Sequence, residues 1–169
     1  MKSTLLLLLN LVSLLSIFLF IEHAMTVSPG QVSGNGNPAL LFVIPIVVLF
    51  LVLVYQWCRW IKLKLIPLKW TIIASMAVIF HWVVGISYQQ TSFQRYKQHI
   101  AQANKSISGE IDWAYIDSIT SGLSIHINNQ IFNLNTYLMM VTLSLMLAIL
   151  LVVLKRKIEE ALQVHDRSE

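Results

Sequence analysis

Apolar residues fall along this chain in four long runs that carry almost no charge. The first extends from Leu5 to Ile21, the second from Ala39 to Trp57, the third from Trp70 to Tyr88 and the fourth from Tyr137 to Leu154. Each is close to the roughly 20 helical residues needed to cross a hydrocarbon core of about 30 Å. A segment surrounded by lipid must satisfy its backbone N–H and C=O groups internally, so uncharged runs of this length read as transmembrane helices. The pattern therefore predicts an all-α membrane protein with four spans. A first span covers residues 1–22, a short external loop 23–38, a second span 39–57 and a basic cytoplasmic loop 58–69. A third span covers 70–88, an external cap 89–135, a fourth span 136–154 and a cytoplasmic tail 155–169.

Two of these segments need closer reading. The first run, led by Lys2, has the basic start and apolar core of a secretory signal. It is long for one, and Glu22 stands where a small residue is wanted before Ala24, so a retained anchor is expected. In the second span, Pro45 predicts a kink, since proline removes a hydrogen bond from a helix interior.

The aqueous segment between spans three and four divides in two. Phe93, Tyr96, Ile100 and Ala103 recur at helical spacing, so the third helix is expected to continue outward as an amphipathic helix and stop before Gly109. Further on, Leu123, Ile125 and Ile127 alternate with Ser124 and His126, and Phe132 and Leu134 flank Asn133. Alternation on either side of Asn128-Asn129-Gln130 predicts a β-hairpin. The expectation is a small extracytoplasmic α+β cap, helix then hairpin. An isolated hairpin is marginal in water and would need packing from Trp113, Tyr115, Ile116 and Ile119.

Composition agrees with lipid as the medium. Of 169 residues 56% are hydrophobic and 12% charged, against roughly a quarter charged in a soluble domain. The net charge of +4 sits at span ends, where it orients the chain and gives no reason to expect nucleic acid. With the N-terminus inside, Lys2, Arg59, Lys62, Lys64, Lys69, Lys155, Arg156, Lys157 and Arg167 are cytoplasmic, and only Arg95, Lys97 and Lys105 are external. Nine against three predicts both ends in the cytoplasm of a cell bounded by a plasma membrane, a bacterial cytoplasmic membrane by this reading. A single cysteine, Cys58, excludes an intramolecular disulfide and any multi-cysteine metal site. A long loop after a short one is also the layout of tetraspanins, but the Cys-Cys-Gly motif and paired cysteines of that family are absent, and the resemblance is rejected.

Candidate chemistry is sparse. His81 lies near the middle of the third span, where an ionisable side chain is costly and turns toward the bundle interior or a cavity. At 1.5 Å of rise per residue, Ser13 and Ser16 on the first span and Thr142 and Ser144 on the fourth fall near its depth. Together they form a candidate intramembrane polar site. Outside, Asp112, Trp113, Tyr115, Asp117 and His126 form a candidate recognition surface. Their spacing matches no recognised ligand or catalytic pattern, so no metal, cofactor or catalytic residue is expected. The partners expected are the bilayer and either a membrane protein or further copies of this chain. The leading expectation is a non-enzymatic accessory or regulatory membrane protein acting through helix packing and its external cap. The alternatives are a small transporter or channel component using His81 at midplane, and an immunity protein against a membrane-active toxin.

The orientation is open to direct test. Reporter fusions in the Arg59–Lys69 connection are expected to report the cytoplasm, and fusions in the Gln89–Asn135 segment the opposite side. Both on one side would overturn it.

Overall fold

The computed structural model describes residues 2–31, 36–63 and 67–166. Lys64 and Arg167 of the cytoplasmic charge set, and positions 32–35 of the first external loop, lie outside them. Four long helices are each long and apolar enough to cross a membrane, which marks a multi-pass membrane protein. They are α1 (Lys2–Ala24), α2 (Val43–Leu63), α3 (Leu68–Ser108) and α6 (Leu134–Asp166). Two short helices, α4 (Trp113–Ile119) and α5 (Asn128–Ile131), lie between α3 and α6, and 3-10 turns cover Pro38–Phe42 and Ile125–Ile127.

α6 is the hub. It packs most extensively on α2, then on α3 and α1. Ser144 and Ala148, four residues apart and both fully buried, leave room for close approach on the α2 side. Cys58 accordingly brings its sulfur to 3.7 Å from the Ala148 carbonyl oxygen. Val54 and Ile61 pack there against Ala148, Ile149 and Val152. Toward the cap, Leu7, Leu14 and Phe18 of α1 pack with Leu53 and Tyr137, and the Tyr137 hydroxyl donates to the Leu11 carbonyl at 3.0 Å. Asn10, buried within α1, donates to the Leu49 carbonyl and to the Gln56 side chain of α2. The remaining faces of α1, α2 and α3 leave large apolar side chains uncovered, Phe80 at 72% exposure among them, as a lipid environment requires.

α3 is long for a span. Its 41 residues reach about 60 Å, twice the thickness of a hydrocarbon core. The outward extension ends as the sequence predicts: Gly109 adopts φ +83°, and its N–H bonds the Lys105 carbonyl, closing the helix in a left-handed conformation that glycine alone takes without strain. Pro45 falls in the first turn of α2, just after the 3-10 turn, where its missing N–H breaks no interior hydrogen bond. The expected reason for a kink is thus absent.

The predicted β-hairpin is not formed. Among the described residues there is no strand, and the regular elements of the cap are all helical. Two of the polar positions that made 123–134 alternate, Ser124 and Asn133, are helix caps. Ser124 accepts from the His126 N–H and opens the 3-10 turn. Asn133 and Thr136 exchange side-chain to backbone bonds at 3.0 and 3.1 Å, a capping box that starts α6. The apolar residues between the caps serve a helical interface: Ile127 joins Ile116 of α4 and Tyr96, Ile100 and Ala101 of α3 in a small core.

Close approach of α3 to α6 depends on Gly85. A Cβ there would lie 2.9 Å from the Met139 sulfur and 3.3 Å from the Asn135 side-chain oxygen. Gly85→Ala should cost about 1 kcal/mol, because a flexible thioether can move aside, whereas Gly85→Leu should cost roughly 3 kcal/mol by overpacking. Thermal unfolding of both variants in detergent, followed by circular dichroism, measures the difference.

Candidate functional site

A row of polar side chains lies along the seam between α3 and α6. At its deep end His81 Nδ1 lies 3.3 Å from the Thr142 hydroxyl, and the indole N–H of Trp82 donates to that same oxygen at 3.2 Å. Thr142 Oγ1 also lies 2.9 Å from the carbonyl oxygen of Leu138, one turn back on its own helix. A hydroxyl has one proton to give. If Thr142 gives it to Leu138, His81 must donate from Nδ1, and Nε2 becomes an acceptor. If Thr142 gives it to His81, Nε2 carries the proton instead. The threonine rotor thus sets the tautomer that the histidine presents.

One turn outward, Asn135 donates to the Gly85 carbonyl at 3.0 Å and to the Gln89 side-chain oxygen at 3.1 Å. Gln89 in turn donates to the Gln130 carbonyl of α5, and Asn133 donates to Gln89 at 3.3 Å. These amides fasten α3, α5 and α6 together where apolar packing gives out. A second amide lock holds the segment between α1 and α2: Asn128, fully buried, donates to the Met25 carbonyl, and Asn37 donates to Asn128 at 2.8 Å and to the Leu123 carbonyl at 3.0 Å. Neither lock was foreseen from sequence, although Asn and Gln clustered at both ends of the 89–135 segment were its visible signal.

The seam opens sideways as a groove. A cavity of about 580 Å³ is lined by His81, Gly85, Tyr88, Asn133 and Asn135, with Glu22 of α1 at its side. A second, of about 620 Å³, continues along α3 past Ser87, Thr91, Arg95 and His99. Both are lined by Val84, Tyr88, Ser92 and Gln130, so the two adjoin along the helix as neighbouring stretches of groove.

Of the intramembrane residues singled out from sequence, His81 and Thr142 meet. Ser13 and Ser16 are exposed and donate to the Leu9 and Val12 carbonyls of their own helix, at 2.8 and 2.9 Å. Ser144 is buried and donates to the Val141 carbonyl of its own helix. Of the four hydroxyls expected near His81, the structure brings only that of Thr142 to it.

The external residues also separate. Asp112 caps α4 by accepting from the Tyr115 N–H at 3.0 Å, and Asp117 pairs with Lys97 at 2.7 Å. Trp113 is 50% exposed, and Ile107 and Leu123 are more so. His126 is buried. Its carbonyl accepts from the Tyr96 hydroxyl at 2.6 Å, while its ring makes no hydrogen bond among the described residues and lines a cavity of about 370 Å³ with Asn104, Asp112 and Tyr115. Among the described residues no group of three His, Cys, Asp or Glu side chains is placed to hold a metal ion.

With this geometry in view, the chain was compared with protein-family models, with curated proteins and with solved structures, and it matches none of them.

Burial lowers the pKa of His126 below its ordinary 6.5. A base with a depressed folded value gives stability that is complete above about pH 6.5 and is lost as pH falls through the folded value, because the undocked cap binds the extra proton. Hydrogen exchange across 113–127, corrected for intrinsic rates, should accelerate between pH 7.5 and 5.5. His126→Phe should flatten that response.

Proposed function

We propose that this is a non-enzymatic accessory or regulatory protein of the plasma membrane, both ends in the cytoplasm, that acts by presenting the outer end of α3 to a membrane-protein partner. The lysine and arginine asymmetry supports the orientation, and the burial of Leu7, Leu14, Phe18 and Ile21 supports α1 as a retained span. One observation carries the function. The cap buries Ile116 and Ile127 against α3, yet it leaves Ile107, Ile111, Trp113 and Leu123 uncovered in the aqueous region beyond the spans. Apolar side chains there gain nothing from lipid, and a rigid aromatic among uncovered aliphatics is the composition of a protein contact.

A photoreactive side chain placed at Trp113 in intact membranes should give a discrete higher-mass adduct, and Ile107→Asp should abolish it at unchanged abundance. The same probe at lipid-facing Phe80 should give none. Absence of an adduct at 113, or one equally strong at 80, would sink this reading.

A further inference from the structure

We infer that the groove along α3 is a binding site for one phospholipid whose headgroup carries both a phosphate and a primary ammonium. The inference does not rest on partner docking or on which compartment the cap faces; it concerns the leaflet on the cap side of the bilayer.

The groove changes character along its length in the way a phospholipid does. Its deep walls are Val83, Val84 and Leu138, all apolar and all uncovered by protein. Within two turns outward the lining becomes Ser87, Thr91, Ser92 and Gln130, and it ends at Arg95 and His99. Arg95 lies seven residues beyond Tyr88, about 10 Å along the helix. A headgroup layer adds only roughly 5 to 8 Å beyond the hydrocarbon, but a helical side chain leans toward the N-terminus of its helix, which here is the membrane side. The long arginine stem can therefore bring its guanidinium down to phosphate height.

Charge decides which headgroup fits. Among the described residues Arg95 has neither an ion-pair partner nor a hydrogen bond, unlike Lys97 two positions on, which is paired with Asp117. A planar guanidinium with its donors free is suited to a phosphate. The other side of the groove carries Glu22, whose carboxylate lies 3.9 Å from the ring of the neighbouring His23. A carboxylate facing the same channel disfavours a headgroup of net negative charge and favours one that brings a cation. A primary ammonium has three N–H donors for that carboxylate and for the amide oxygens of Asn129, Gln130 and Asn133 nearby. A trimethylated ammonium has none.

The test uses the whole protein, delipidated in mild detergent and loaded with defined lipids, with retained lipid counted by native mass spectrometry. Phosphatidylethanolamine should be retained about tenfold better than phosphatidylcholine or phosphatidylglycerol, the worth of one charged hydrogen bond. Glu22→Gln should erase the preference over phosphatidylcholine, and Arg95→Gln should lower retention of all three. Both side chains sit at the groove surface, so each variant should keep the wild-type circular dichroism spectrum. Val84→Trp fills the apolar wall and should expel every lipid while leaving both charges in place. Equal retention of the three lipids by the unaltered protein, or a preference that survives both charge substitutions, would overturn the assignment.

Discussion

A polar group taken out of water must find another partner, and this molecule answers that constraint with carboxamides. Backbone satisfaction makes the spans helical, but it says nothing about which helix lies beside which. That choice falls to side chains. Asn10 joins α1 to α2, Gln89 and Asn135 join α3 to α6, and Asn128 ties the first external loop to the cap. An amide both donates and accepts, carries no charge to desolvate, and reaches far enough to bond a carbonyl on the next helix. Apolar packing then completes contacts whose register the amides have already set, with α6 central because its small residues admit α2.

Much of this was legible in the chain itself. Four apolar runs, the outward continuation of α3 and its stop at Gly109 follow from length, helical period and one glycine. The cap did not follow. Alternation on either side of Asn128 satisfies the strand pattern, but Ser124 and Asn133 are also good N-caps, and short helices with caps at both edges leave the same imprint as a hairpin. Packing against α3 decides between them, and that contact lies thirty residues away in sequence. The polar seam was half legible for a related reason. Rise per residue places His81 level with Thr142, Ser13, Ser16 and Ser144, but depth alone does not say which way a side chain turns. Only Thr142 turns toward the histidine.

The two ends of the molecule differ in what they offer. Between the apolar stretches of α3 and α6, the histidine and threonine share a single proton position, and the histidine lines a groove on the surface of the bundle. An opening of that kind admits molecules dissolved in the membrane more readily than solutes from water. On the cap side, Asp112 caps α4 and Asp117 pairs with Lys97, while Trp113, Ile107 and Leu123 stay uncovered.

One consequence concerns mechanics. α3 runs unbroken from its membrane-spanning half through some twenty residues on the cap side, so the two halves move as one rod. Tilting that rod by about 10° would swing its far tip by roughly 5 Å over a 30 Å arm. A change in bilayer thickness, or in what fills the groove beside His81, would then arrive at Trp113 already amplified.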